Sequence, residues 1–181
     1  MTSVGDPSRI EKDGFNFVSS SPEETKTLAG HLSRYSFPGL VVLISGLLGA
    51  GKTEFVRGFV SSMTRDEVKS PSFTLINEYK GKIPIAHVDL YRIERNASME
   101  ISLEDYIREG FIVLVEWPEN WDGEEPQESW KIELAMPEDF LQSAGRKNTR
   151  LVKATCEGGV ACQRLERFIS GFRSAWGEVE R

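Results

Sequence analysis

A glycine-rich segment at residues 46–53 reads Gly-Leu-Leu-Gly-Ala-Gly-Lys-Thr, and it limits the folds open to this chain more than any other feature. It follows an apolar, largely β-branched run at 40–44, which does not alternate with polar residues and is typical of a strand buried on both faces of an α/β sheet. After the segment, apolar residues recur at helical spacing, at Phe55, Val56, Phe59, Val60 and Met63. A buried strand, a glycine turn and an amphipathic helix, in that order, are the context that a phosphate-binding loop requires.

The spacing within this loop suits the phosphates of a nucleotide. Glycines adopt backbone angles that turn successive N–H groups inward, and the N-terminus of the following helix adds roughly half a positive charge. Lys52 can neutralise the β- and γ-phosphates, and the Thr53 hydroxyl can bind the Mg²⁺ ion between them. The chain is therefore predicted to bind a nucleotide with magnesium, and the alternative is a glycine-rich turn that matches by chance.

A magnesium site of this kind also needs an acidic residue, normally at the end of a neighbouring apolar strand. Glu116 directly follows the apolar run at 111–115, whereas Asp89 follows a weaker run at 83–88 that contains a proline. We expect Glu116 to hold the metal and Asp89 to have a second role, such as orienting the attacking water. The alternative for each carboxylate is a solvated or capping side chain.

The remaining pattern predicts further elements around this centre. Ser21, Pro22 and Glu24 form a helix start with a capping box, and that helix runs to about Tyr35. Other strands are predicted at 73–79, 83–91, 111–115, 130–136 and 150–156. Other helices are predicted from Ser98 or Ser102 to Gly110, and at 160–176.

Together these elements predict an α/β fold, a P-loop NTPase-like sheet with flanking helices and some antiparallel strands. The sequence shows no internal repeat, and residues 16–181 are expected to form one domain that includes the C-terminal helix. Residues 1–15 are polar and contain three acids, which argues against a secretory signal and predicts a flexible tail.

The charge, the length of the apolar runs and the number of cysteines restrict the kinds of partner and the cellular compartment that we expect for this chain. The chain has 22 basic and 28 acidic residues, and a net charge of −6 argues against direct, unaided binding of nucleic acid. No apolar run approaches the roughly 18 residues that a membrane span requires. Cys156 and Cys162 are too few for a disulfide framework and are expected to be small apolar fillers, so a cytoplasmic location fits best.

Four segments, in the same order along the chain, carry a resemblance to a known family. Besides the loop, they are Lys-Ser-Pro-Ser-Phe-Thr at 69–74, His-Val-Asp-Leu-Tyr-Arg at 87–92 and Leu-Val-Glu-Trp-Pro at 114–118. From about Ser21 to about Glu157, the chain closely resembles the bacterial TsaE (YjeE) family. The resemblance implies a P-loop protein that binds ATP and Mg²⁺, hydrolyses ATP slowly, and acts with TsaB and TsaD in the synthesis of threonylcarbamoyladenosine on tRNA.

The resemblance also implies roles for individual residues. Thr53 and Glu116 would hold magnesium, Asp89 would support hydrolysis, and Ser21 would approach the nucleotide base. Trp117 would lie beside the site, and the segment 70–74 looks like a switch-like loop. The residues that would line the phosphates are Gly49, Ala50, Gly51, Lys52, Thr53 and Glu54.

The sequence departs from the family pattern at two positions of the loop. Leu47 stands where an acid is often found, and Glu54 follows Thr53 where a second threonine is common. Phosphate would repel a carboxylate at Glu54, so we expect its side chain to turn outward and only its backbone N–H to contribute.

Other readings of the sequence remain. A small-molecule kinase shares the loop and the chain size, and Arg146 and Arg150 resemble the arginines of a kinase lid, although the tip at 145–150 is more simply a solvated turn. A GTPase is disfavoured because there is no Asn-Lys-X-Asp motif. His87 is interpreted as a packed, hydrogen-bonded core residue. tRNA is expected to be bound only indirectly, through the partner proteins.

Overall fold

The computed structural model describes residues 14–66, 68, 75–92, 102–136 and 148–176. Within them, the strands are β1 (Phe15–Ser19), β2 (Val41–Ser45), β3 (Ile76–Tyr79), β4 (Ile85–Asp89), β5 (Ile112–Glu116), β6 (Ser129–Ala135) and β7 (Arg150–Glu157). The helices in these ranges are α1 (Pro22–Ser33), α2 (Lys52–Ser61), α3 (Leu103–Arg108) and α4 (Gly159–Trp176). A short 3-10 turn covers Pro118–Asn120.

The strands in the described ranges form one sheet in the order β1-β7-β6-β2-β5-β4-β3. The four central strands, β6, β2, β5 and β4, are parallel to one another, whereas β7, β1 and β3 pair antiparallel. The predicted α/β sheet with flanking helices and antiparallel additions is therefore confirmed. Parallel strands bring their carboxyl ends to one edge, which is where open α/β sheets bind ligands.

Apolar side chains cover both faces of the central strands because successive residues point to opposite sides. On one face, the side chains of Val42, Ile44 and Leu114 pack with α1, α2 and α4. On the other face, Val113 and Val115 belong to a smaller cluster with Leu103 of α3. Burial on both faces is what the unalternated apolar runs predicted.

Helices α1 and α2 pack against each other with little space between their backbones. A Cβ at Gly58 of α2 would clash with the backbone of Lys26 in α1, so only glycine fits there. At the start of α1, the backbone N–H of Glu24 donates to Ser21 Oγ and the Glu24 carboxylate accepts from the N–H of Ser20. The predicted helix start is confirmed, although α1 ends at Ser33 rather than near Tyr35.

The N-terminal boundary differs from the prediction. Phe15 was assigned to the flexible tail, but it is the first residue of β1 and its ring makes edge contacts with Phe168 and Phe172 of α4. The strand was missed because it is short and its pairing partner, β7, lies far along the chain. Residues 1–13 lie outside the described residues.

The cysteines are not separate apolar fillers, so that expectation is wrong. Cys156 at the end of β7 forms a disulfide with Cys162 in the first turns of α4. Gly158, with φ of +91°, turns the chain directly from strand into helix and brings the two Cα atoms within 5.2 Å.

None of the helices in the described ranges has both the length and the apolar character that crossing a membrane requires.

Candidate functional site

The glycine loop joins the end of β2 to the start of α2. Gly46, Gly49 and Gly51 all have positive φ angles, of 140°, 78° and 101°, which other residues rarely adopt. Gly51 is the N-cap of α2, and no side chain caps this helix start. The first-turn N–H groups of α2 are therefore left for an anion, as the helix dipole favours.

Lys52 lies folded against the loop. Its Nζ donates to the carbonyl oxygens of Gly46, at 2.6 Å, and Leu47, at 3.1 Å, and lies 3.7 Å from the centroid of a Trp117 ring. Burial lowers the pKa of Lys52, while the negative charges of Glu116, Glu119 and Asp89 act to raise it. The surrounding acids thus help to retain a cation at the position where phosphate charge would come.

Trp117 has an unusual backbone. Its φ and ψ angles are 59° and 52°, the left-handed region that residues other than glycine seldom occupy. Its indole also stacks at a tilt with Tyr91, at 4.9 Å between ring centroids. Such backbone strain clusters at functional sites, and the family resemblance implied that Trp117 would lie beside the site.

Thr53 and Glu116 meet across the carboxyl edge of the sheet. The Thr53 hydroxyl, in the first turn of α2, lies 3.3 Å from Glu116 Oε2 and 3.5 Å from Oε1. Glu116 ends β5 and is only 2% exposed. Magnesium prefers hard oxygen ligands and keeps several waters, so a hydroxyl and a carboxylate side by side fit this ion.

Asp89 occupies the matching position on the next strand. It pairs in register with Glu116, because β4 and β5 run parallel. Its Oδ1 accepts a hydrogen bond of 3.0 Å from the N–H of Tyr91, and the residue is half-buried. The two carboxylates predicted from strand ends are therefore neighbours, with Glu116 buried against Thr53 and Asp89 closer to solvent.

The remaining predicted residues fall into three groups. Ser21 caps α1, with its hydroxyl accepting from Glu24. Glu54 directs its carboxylate to Lys26, at 2.9 Å, and to Arg57, as expected for a side chain turned away from the loop. The switch-like segment 70–74 and Arg146 lie outside the described residues.

Two contacts were not predicted. His87 is buried and hydrogen-bonded as expected, but its partner is Glu116: the Nε2 atom lies 2.9 Å from Oε1. Arg150, at the start of β7, donates from Nε to the carbonyl of Ala50 at 3.0 Å and from Nη2 to that of Gly49 at 3.1 Å. Only the register of β4 on β5 could have indicated the first contact, and no local pattern indicates the second.

The chain is similar to known proteins. The family model for TsaE, threonylcarbamoyl adenosine biosynthesis protein, matches residues 19–146. The tRNA threonylcarbamoyladenosine biosynthesis protein TsaE of Bacillus subtilis is 41% identical over 115 residues, which cover 62% of this chain and 72% of that protein. The protein of the same name from Treponema pallidum is 32% identical over 127 residues, covering 67% and 92%.

A solved structure is also similar. The crystal structure of Bacillus subtilis YdiB superposes with a TM-score of 0.68 at 28% identity, covering 87% of this chain and 95% of that one. The family model spans well over half of the chain, and the resemblance drawn from the four motifs is confirmed. The chain belongs to the TsaE family of threonylcarbamoyl adenosine biosynthesis proteins.

Proposed function

We propose that this protein is a magnesium-dependent ATPase, weak when alone, that serves the threonylcarbamoyl modification of adenosine in tRNA. One observation carries the proposal: Lys52, Thr53 and Glu116 converge at the glycine loop on the carboxyl edge of a parallel sheet. This set supplies a cation for phosphate, a hydroxyl and a carboxylate for Mg²⁺, and a free helix N-terminus. ATP and Mg²⁺ are the proposed cofactors.

In this proposal the groups around the nucleotide have separate roles. The backbone N–H groups of residues 49–54 bind phosphate oxygens, and Lys52 moves from the loop carbonyls to the β- and γ-phosphates. Thr53 and Glu116 would hold Mg²⁺, which supplies charge neutralisation between these phosphates when bound. Ser21 is the proposed contact near the base.

Asp89 is the proposed residue that orients the attacking water. It lies beside Glu116 in the sheet register but is half-buried, so a water can reach it. Its carboxylate can accept a hydrogen bond from that water and align it with the γ-phosphate. Glu116 is less suited to this task, because its oxygens already face Thr53 and His87.

The proposed partners are TsaD and TsaB, in the cytoplasm. With a net charge of −6, this chain is poorly suited to hold the phosphates of tRNA by itself. The division of labour we propose leaves tRNA and the transfer reaction to the partners, while nucleotide binding and hydrolysis in this subunit regulate the assembly.

The test combines the purified protein with TsaD and TsaB from the same organism. Nucleotide affinity is measured by calorimetry with a non-hydrolysable ATP analogue, and phosphate release is measured with and without the partners. Complex formation is followed by sedimentation, and threonylcarbamoyladenosine is quantified in digested tRNA. We expect Mg²⁺-dependent binding, slow turnover alone, and a modified nucleoside only when this subunit and ATP are both present.

Two outcomes would contradict the proposal. If the analogue does not bind, the glycine loop does not hold a nucleotide. If ATP binds but the γ-phosphate is transferred to a small metabolite without any complex forming, the small-molecule kinase reading is correct instead.

A further inference from the structure

We infer that His87 is a positioning residue for the magnesium ligand Glu116, an inference that rests on the proposed magnesium site. The hydrogen bond from the imidazole fixes one carboxylate oxygen and leaves the other directed to Thr53. His87 thereby decides how well the site accepts Mg²⁺, without touching the nucleotide itself.

The two oxygens of Glu116 differ in their contact with His87. Oε1 lies 2.9 Å from His87 Nε2 and 3.5 Å from the Thr53 hydroxyl, whereas Oε2 lies 3.3 Å from that hydroxyl. His87 is 0% exposed and Glu116 2% exposed, so bulk water cannot replace the imidazole as a donor to Oε1. A buried carboxylate that lost this donor would be free to rotate about its last torsion.

The contact also defines which ring nitrogen of His87 donates. A carboxylate that holds Mg²⁺ is ionised and only accepts hydrogen bonds, so in the proposed site Nε2 donates to Glu116. Nδ1 is buried and has no hydrogen-bond partner within the described ranges. The hydrogen bond to Glu116 is therefore made from Nε2, the ring nitrogen that faces an acceptor.

The register of β4 on β5 places His87 close enough to Glu116 to orient its carboxylate. His87 lies opposite Leu114 in the parallel pair of β4 and β5, and Glu116 follows two residues later on the same face. Outer-shell partners that orient a metal ligand typically contribute 10- to 100-fold to metal affinity. We therefore expect the loss of this hydrogen bond to weaken Mg²⁺ binding about 10-fold.

The test compares His87→Leu, which removes the donor, with His87→Gln, whose amide can place an N–H near the position of Nε2. A non-hydrolysable ATP analogue is bound at increasing Mg²⁺, and its affinity is measured again in EDTA. In His87→Leu, the Mg²⁺ concentration at half-effect should rise about 10-fold, while affinity in EDTA stays unchanged. His87→Gln should return the Mg²⁺ dependence toward the wild-type value, and His31→Gln on α1 is the matched control.

Each outcome has a separate meaning. An unchanged Mg²⁺ dependence in a folded His87→Leu overturns the positioning role while the proposed function stands. Failure of the wild-type protein to bind the analogue overturns the proposed function and this inference together. If His87→Leu loses analogue affinity equally with Mg²⁺ and in EDTA, His87 has only a structural role, and the inference is overturned.

A measurement on the wild-type protein covers the case in which His87→Leu does not fold. The chain has two histidines, so ¹⁵N spectra of the imidazoles of the wild type and of His31→Gln assign His87 directly. We expect the signals of a ring that carries a proton on Nε2. A ring with Nε2 unprotonated would overturn the inference, because it could not donate to Glu116.

Discussion

The glycine loop is contacted from two sides that differ in kind. On the side of β4 and β5, Thr53 meets Glu116, and Glu116 meets His87, through buried side chains. On the side of β7, Arg150 is half-buried and donates to main-chain carbonyls of the loop. The first side offers acceptor oxygens for a cation, and the second holds the shape of the backbone.

This difference separates two properties that a nucleotide site needs. In the proposed site the buried carboxylate of Glu116 holds the metal, so changes on the β4–β5 side should alter the Mg²⁺ dependence. The Arg150 guanidinium satisfies carbonyls of residues 49 and 50, whose neighbouring N–H groups are the proposed phosphate ligands. Changes on the β7 side should therefore weaken phosphate binding with and without metal alike.

The largest effect is expected at Lys52, which lies between the two sides. Lys52→Ala removes the cation proposed to bind two phosphates, and charge-assisted hydrogen bonds contribute about 1.5–3 kcal/mol each. We expect analogue binding to weaken on the order of 100-fold and ATP-dependent function to be lost. Lys26→Ala on α1 is the control, since Lys26 pairs with Glu54 outside the loop. Full activity in Lys52→Ala would refute the phosphate loop.

Glu116→Gln tests the β4–β5 side. The amide keeps the shape of the side chain but removes the negative charge that is proposed to attract Mg²⁺. We expect Mg²⁺-dependent phosphate release to fall about 10-fold or more, with analogue affinity in EDTA retained. The measurement is the rate of phosphate release over a series of Mg²⁺ concentrations. An unchanged rate would move the metal role to Asp89.

The sequence predicted the residues whose positions depend on local spacing or on strand ends, but not the contacts that depend on the pairing of distant strands. The positions of Lys52 and Thr53 at the loop were predicted from local spacing, and those of Glu116 and Asp89 from their places at the ends of apolar strands, which parallel pairing brings together. The partner of His87 depends on sheet register, and the contact of Arg150 spans 100 residues. Long-range contacts of this kind leave no mark in a local sequence pattern.

The fold shows a similar limit. The buried central strands were predicted from apolar runs, because burial on both faces dictates composition. Strand β1 has the sequence Phe-Asn-Phe-Val-Ser, too short for its alternation to be decisive, and its place depends on pairing with β7. The disulfide was likewise hidden, since it depends on the tight turn at Gly158.

Arg150→Gln tests the β7 side. Two hydrogen bonds to the loop carbonyls are lost or weakened, but the carbonyls can turn to water, so the expected effect is smaller than at Lys52. We expect analogue affinity to fall roughly 5- to 10-fold, equally with Mg²⁺ and in EDTA. Lys153→Gln, on the same strand, is the control. If Arg150→Gln lowered analogue affinity only in the presence of Mg²⁺, the β7 side would also act through the metal, and the proposed difference between the two sides would be wrong.

The smallest effect on nucleotide binding is expected for Tyr106→Phe, because within the described residues Tyr106 contacts neither side of the loop. Its hydroxyl donates to Glu78 Oε1 at 2.7 Å, and this hydrogen bond, more than burial, raises the pKa of Tyr106 to about 12. Because the folded state holds this proton more tightly than the unfolded state, the contribution is complete below the unfolded pKa of about 10 and is lost as pH rises to about 12. The urea midpoint of the wild type should therefore fall more steeply than that of Tyr106→Phe between these pH values. At neutral pH, analogue binding should be the same in both proteins, and a difference there would extend the site beyond the two sides of the loop.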